Sequence, residues 1–172
     1  SDVVISSPYF IPGEMGVKAF GDLTKKKVTV TIITNSLAAN DEPLVHTGYS
    51  RYRVALLKSG VDLYELSPSR IQRATRLGWT GMSTGRLHAK TAVIDGVWTK
   101  IGSYNLDSRS LLFNLEVALA VIDRSLGARM QETHLIAATA SAPAVNTTQA
   151  FDQPCPAWYG RHRAGDTWTQ SC

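Results

Sequence analysis

The chain has 172 residues, a formal net charge of +4, 44% hydrophobic and 19% charged residues. That is enough to bury one sizeable core, too apolar for a disordered segment, and too mildly basic to argue for a nucleic-acid partner on charge alone. No run approaches the roughly 18 apolar residues of a membrane-spanning helix, and no basic segment followed by an apolar stretch marks a secretory signal.

In chain order, Asp2 to Ser6 reads as a short buried strand, and the prolines of Ser7-Pro-Tyr-Phe-Ile-Pro-Gly13 force an extended loop after it. The start at Ser1, directly before that strand and without an initiator Met, is read as a piece of a longer chain. Val17, Phe20 and Leu23 form a helical stripe, with Lys25 to Lys27 as a solvated end that complements the helix dipole. Val28 to Thr34 is a β-branched strand, so strand, helix and strand predict a right-handed crossover and a parallel sheet. Asn35 to Pro43 is a polar loop off the carboxyl end of that strand, the side on which open α/β sheets place ligands. The next helix carries Val45, Tyr49, Tyr52 and Leu56 on one stripe and ends at Gly60; His46, near its start, is either a substrate contact or an ordinary capping or surface residue.

Val61 to Leu66 is a further strand. The connection Ser67 to Arg86, with Arg70, Arg73, Arg76, Arg86 and Trp79, is either a solvated loop or a grip for an anionic headgroup or membrane surface. After the hairpin described next, Asp107-Ser-Arg109-Ser110 offers an arginine that either binds phosphate or pairs with Asp107. Leu115 to Ile122 reads as a buried strand and about 124 to 138 as a helix. Beyond roughly residue 140 Ala, Ser, Thr, Pro and Gly dominate, and Cys155 and Cys172 have no metal spacing. The expected organisation is a domain over 1–140 and a tail over 141–172 with no assigned function.

The chemistry concentrates between residues 88 and 116. His88-Ala-Lys-Thr-Ala-Val-Ile-Asp95-Gly96 and Val97 to Ile101 predict two strands joined by a tight turn. Residues two apart on a strand leave the same face about 7 Å apart, which puts the His88 imidazole beside the Lys90 ammonium. Lys90 supplies charge to phosphate oxygens, and an imidazole near neutrality can attack phosphorus or protonate a leaving oxygen. Asp95 has an odd spacing from His88 and is expected to shape the turn. Ser103 and Asn105, again two apart, follow Gly102, expected to let the backbone approach a ligand, and would complete a phosphate cradle. Glu116 opens the apolar run Val117 to Ile122, where a carboxylate needs a partner; His88 is the expected one, since a carboxylate fixes an imidazole's tautomer.

The ordered set His88-x-Lys90-x4-Asp95, Gly102-Ser-x-Asn105, Asp107-x-Arg109-Ser110 and Asn114-x-Glu116 resembles the phospholipase D superfamily, in particular its cardiolipin synthase-like members. Asn35-Ser-Leu37 and His46-x-Gly48-Tyr49 resemble the same subgroup. The resemblance implies an α/β fold, with a mixed β-sheet flanked by helices on both faces, as one lobe of a two-motif enzyme. It implies phosphatidyl transfer or phosphodiester cleavage through a phosphohistidine, with no metal and no cofactor. The implied catalytic residues are His88, Lys90, Asp95 and Glu116, with Ser103 and Asn105 on the phosphate. Tyr9, His46 and Arg109 are possible substrate contacts, Tyr9 and Phe10 either lining a pocket or plugging the sheet end.

No second His-x-Lys exists: His46, His134 and His162 are followed by Thr-Gly, Leu-Ile and Arg-Ala. The implied partners are an anionic phospholipid and a second lobe, either from an absent amino-terminal half or from a homodimer partner. The implied site is peripheral, at the bacterial inner membrane face. His88 would act as general acid and base with the nucleophilic histidine on the other lobe, or the reverse. The competing readings are a homodimeric nuclease binding DNA, a phospholipid hydrolase, and a catalytically silent lobe that binds lipid or a partner.

Overall fold

The computed structural model describes residues 1–66 and 87–141; the arginine-rich connection and the tail lie outside them. The strands are β1 (Asp2–Ser6), β2 (Thr29–Asn35), β3 (Asp62–Leu66), β4 (Thr91–Ile94), β5 (Trp98–Gly102) and β6 (Ala118–Ile122). The helices are α1 (Gly13–Lys25), α2 (Pro43–Lys58), the single turn α3 (Ser108–Leu112) and α4 (Arg124–Ser141). One mixed sheet results, in the order β3-β2-β1-β4-β5-β6. β1, β2 and β3 run parallel, and β4, β5 and β6 add as antiparallel neighbours on the other side of β1.

Both crossover helices stop by the same device. Val61 N–H reaches back to the Leu56 carbonyl at 3.2 Å and Gly60 N–H to Leu57 at 3.0 Å, with Gly60 at φ 87°. Val28 and Lys27 make the equivalent bonds to Leu23 and Thr24, at 3.1 and 2.8 Å. This is the left-handed helix stop that glycine fits best, and at α1 Lys27 occupies it at φ 61°.

α1 and α2 cover one face of the sheet. There Ile5, Val30, Ile32 and Leu63 pack with Phe10, Tyr49, Leu56, Leu57 and Val61, while Val17, Phe20 and Leu23 of α1 close the edge. α4 covers the other face, where Val4 and Ile33 meet Ala138, flanked by Tyr64 and Leu87. Thr91 Oγ1 lies 2.7 Å from His134 Nε2 in that second layer. The helices thus flank a mixed sheet on both faces.

β6 corrects an expectation. The run Val117 to Ile122 reads as a buried strand, yet Val117, Leu119 and Ile122 are exposed, Ile122 to 78%. Among the described residues β6 is the edge of the sheet, paired with β5 alone, and α4 lies over β1, β3, β4 and β5. An apolar run alone does not tell a central strand from an edge strand. No helix among the described residues is long and apolar enough to cross a membrane.

Candidate active site

Strand directions collect the predicted residues at one end of the sheet. Ser6, the last residue of β1, pairs with Thr91, the first of β4, and Thr91 also pairs with Ile101 near the end of β5. Gly102 pairs with Ala118, the first residue of β6. The loops after β1, β2 and β5 and the segments entering β4 and β6 therefore share one rim. The buried Asn35 at the end of β2 fixes the segment before β4: its Oδ1 accepts from the Leu87 N–H at 2.9 Å and its Nδ2 donates to the Leu87 carbonyl at 3.2 Å.

On this rim Lys90 Nζ donates to the His88 carbonyl at 3.0 Å. Burial lowers the Lys90 pKa, against the pull of the Glu116 and Asp41 carboxylates, which favour its charged form. Glu116 is held below the usual carboxylate range by hydrogen bonds from Ser103 and Asn114, with Ser110 and the Lys90 charge adding to the effect. The Ser103 hydroxyl donates to Glu116 Oε2 in a short hydrogen bond and accepts the Val117 N–H at 3.0 Å. Asn114 Nδ2 donates to Glu116 Oε1 at 3.1 Å. Asn105 Oδ1 is buried with no hydrogen-bond partner among the described residues, an acceptor waiting for a donor.

Several expectations are corrected. Glu116 pairs with Ser103 and Asn114; among the described residues no hydrogen bond or ion pair joins it to His88, whose side chain is exposed. The physical reason is register, because pairing of Gly102 with Ala118 sets Ser103 against the Glu116–Val117 step. Asp95 does not join the cluster. It sits in the β4–β5 turn at φ 53°, beyond the far end of β4, where Oδ1 accepts the Asp2 N–H at 2.8 Å. Gly102 does not open its backbone to a ligand: a Cβ there would strike the Val117 carbonyl and Ala118, so the missing side chain lets β6 lie close.

His46 is neither cap nor surface residue. It is 4% exposed, stands edge-on to the Tyr49 ring at 5.6 Å, and burial lowers its pKa. The two loop aromatics separate: Phe10 is core, 6.0 Å from the Tyr49 ring, while Tyr9 is half-buried and donates from its hydroxyl to Asp41 Oδ1 at 2.8 Å. Asp107 does not pair with Arg109. Its Oδ1 caps α3 by accepting the Ser110 N–H at 2.7 Å, and Arg109 is left exposed.

Three residues escaped the sequence reading of the site. Asn35 is read only as the start of a polar loop and as part of a resemblance, although a polar residue ending an apolar strand could have signalled a buried clamp. Asp41 lies in the very loop assigned to the ligand side of β2. Lys100, two residues before Gly102, has its ammonium 4.3 Å over the Tyr104 ring and within the field of Glu116.

The rim thus carries an imidazole, ammonium groups, hydroxyls, side-chain amides and carboxylates, the equipment expected for a phosphodiester and for moving a proton beside it. In fold the chain is a phospholipase D-type lobe. It superposes on a phospholipase D family member, Nuc from Salmonella typhimurium, with a TM-score of 0.61 at 16% identity, covering 83% of this chain and 80% of that one. Phosphatidylserine synthase from Haemophilus influenzae gives a TM-score of 0.59 at 14% identity, over 85% of this chain and 34% of that one.

Sequence narrows the class. Residues 1–134 match the family described as cardiolipin synthase, PLD-like domain, and the chain belongs to that family. It is 48% identical over 124 residues to cardiolipin synthase C of Escherichia coli K12, covering 71% of this chain and 26% of that protein. Against cardiolipin synthase A of E. coli O1:K1 the identity is 30% over 126 residues, covering 73% and 22%. The chain spans about a quarter of the length of these curated relatives.

Proposed function

We propose that this chain is the carboxyl-terminal catalytic lobe of a phosphatidyltransferase of the cardiolipin synthase type, working at the membrane surface. The observation that carries the reading is the gathering of His88, Lys90, Ser103, Asn105 and Glu116 at one sheet end, in a chain of this family. One histidine attacks the phosphodiester and holds the phosphatidyl group, and the other protonates the departing alcohol. An incoming alcohol then loses its proton to that second imidazole and takes the phosphatidyl group. His88 is assigned the acid and base role, with the nucleophile on the second lobe. Lys90, with the Ser103 and Asn105 side chains, offsets charge that builds on the phosphoryl oxygens. Asp95 is assigned to the turn.

A second lobe is also supported by surface chemistry. Leu111, Leu112, Phe113, Leu115, Val117, Leu119 and Ile122 are all exposed, and Glu116 lies between two of them. A group of exposed apolar residues at the sheet edge beside an incomplete site is the kind of surface another domain covers.

The test is turnover of phosphatidylglycerol vesicles by the protein that carries this lobe. His88→Ala and Lys90→Ala should each lower turnover by about 10²- to 10⁴-fold while melting and far-UV dichroism stay unchanged. Wild-type turnover by His88→Ala would overturn the assignment. A homodimeric nuclease is the second reading, favoured by the match over 80% of Nuc's own length. Metal-independent, salt-sensitive cleavage of duplex DNA by a dimer of this chain would support it instead.

A further inference from the structure

Lys100 carries a second ammonium to the rim, and nothing in the reaction above uses it. The hairpin places it: Lys100 pairs with Ala92, and one step further along the same ladder the Gly102 N–H donates to the Lys90 carbonyl at 3.1 Å. Lys90 and Lys100 are therefore diagonal neighbours on one face, with backbones about 7–8 Å apart. The Tyr104 ring, two residues beyond Gly102, holds the Lys100 ammonium 4.3 Å from its centre. Glu116 stands two residues before Ala118, the partner of Gly102, and so shares that face. Its charge acts on both ammonium groups, although neither forms an ion pair with it among the described residues.

The charges around Lys90 do not suit an anion until Lys100 is counted. Lys90 stands in the field of two carboxylates, Glu116 and Asp41. One ammonium against two carboxylates leaves a net negative charge, which would repel a phosphodiester from the lysine that is to hold it. The hydrogen bonds that Glu116 accepts from Ser103 and Asn114 come from neutral groups and cancel none of its charge. Burial disfavours the charged form of Lys100 and the Glu116 carboxylate favours it. We propose that Lys100 is a positioning residue of the phosphate site: held by the Tyr104 ring, it balances the Glu116 charge and so leaves the Lys90 ammonium to the substrate phosphate. Lys100 touches no reacting atom and acts through Glu116. This rests on the phosphodiester reading above and adds to it a residue outside the ordered motifs.

The probe is dimethyl phosphate, a phosphodiester with one negative charge, titrated into the protein that carries this lobe and followed by amide shifts in NMR, so that variants without turnover can still be compared. Lys100→Met keeps the length of the side chain and its contact with the ring but removes the charge, and should weaken binding by about 10-fold. Lys100→Arg, which keeps both charge and ring contact, should bind as wild type does. In a Glu116→Gln background Lys100→Met should weaken binding by less than about 2-fold, since no carboxylate is left to balance. At saturating phosphatidylglycerol the kcat of Lys100→Met should stay within about 2-fold of wild type, the loss appearing in KM. A 10-fold weakening in both backgrounds would mean that Lys100 binds the phosphate itself, and the proposal falls. Wild-type affinity in Lys100→Met overturns it as well, as does a loss of kcat that follows a loss of thermal stability. If wild type does not bind dimethyl phosphate, the phosphodiester reading itself fails and takes this one with it.

Discussion

The two flanks of β1 are made from similar residues and end in opposite surroundings. On one side β2 and β3 continue in parallel, covered on both faces, and six of the seven residues of β2 are buried. On the other side β4, β5 and β6 continue antiparallel, and by β6 nearly every residue is exposed. Ile32 in the first flank has no exposed surface, whereas Ile122 in the second is 78% exposed. The covered flank holds the lobe together, while the bare flank supplies most of the rim chemistry and, beside it, an exposed apolar edge. Stability and function are thus assigned to different halves of one sheet.

That division can be broken most decisively in the core. Ile32→Ala should cost about 2–5 kcal/mol, because a cavity would open under α2, whereas Ile122→Ala should change stability by less than about 0.5 kcal/mol. Urea unfolding of the two variants measures the contrast, and similar losses would erase the distinction between the flanks.

Proton uptake tests the two helical layers next. His46 of α2 and His134 of α4 are both buried, and burial lowers both below the ordinary value of 6.5. With the folded values depressed, the unfolded chain takes up protons first. The stability is complete above pH 6.5 and declines as pH falls below it, by at most about 1.4 kcal/mol per pH unit for each histidine. The urea midpoint at pH 5.5 should lie below that at pH 7.5, and His134→Asn should shrink the gap. Equal midpoints in the wild-type protein would contradict this.

The smallest effect belongs to the covered flank's own imperfection. Lys27→Gly should raise stability by about 0.5–1 kcal/mol, since α2 already ends on a glycine in the same conformation. A thermal melt detects it as a modest rise in Tm, and a fall would show that the Lys27 side chain contributes more than its backbone costs.

Much of the architecture was legible because period and punctuation agreed. The β-branched run before Asn35, the stripe through Val45 and Leu56, and Gly60 after it fixed β2 and α2 within one or two residues. The Asp95-Gly96 pair marked its turn for a sound reason, as both residues adopt positive φ there. What sequence could not supply was the identity of neighbours. Glu116 was matched to His88 by chemical need, but strand register handed it to Ser103. His46 looked like a surface residue because its spacing says nothing about Tyr49 closing over it. Asp41 drew no attention because one acid in a polar loop is common; only its hydrogen bond from Tyr9 sets it apart.

The β4–β5 turn also ties distant parts of the chain together. Asp95 is bonded to the backbone of Asp2, Gln131 of α4 is bonded to the Asp2 side chain, and Gly127 rests on Gly96 with no room for a methyl group. Amino-terminal strand, central hairpin and closing helix meet at that knot, so the second layer forms only once synthesis has passed α4. A ribosome-bound chain halted before Arg124 would hold its first core closed and present Val4, Ile33 and Thr91 uncovered.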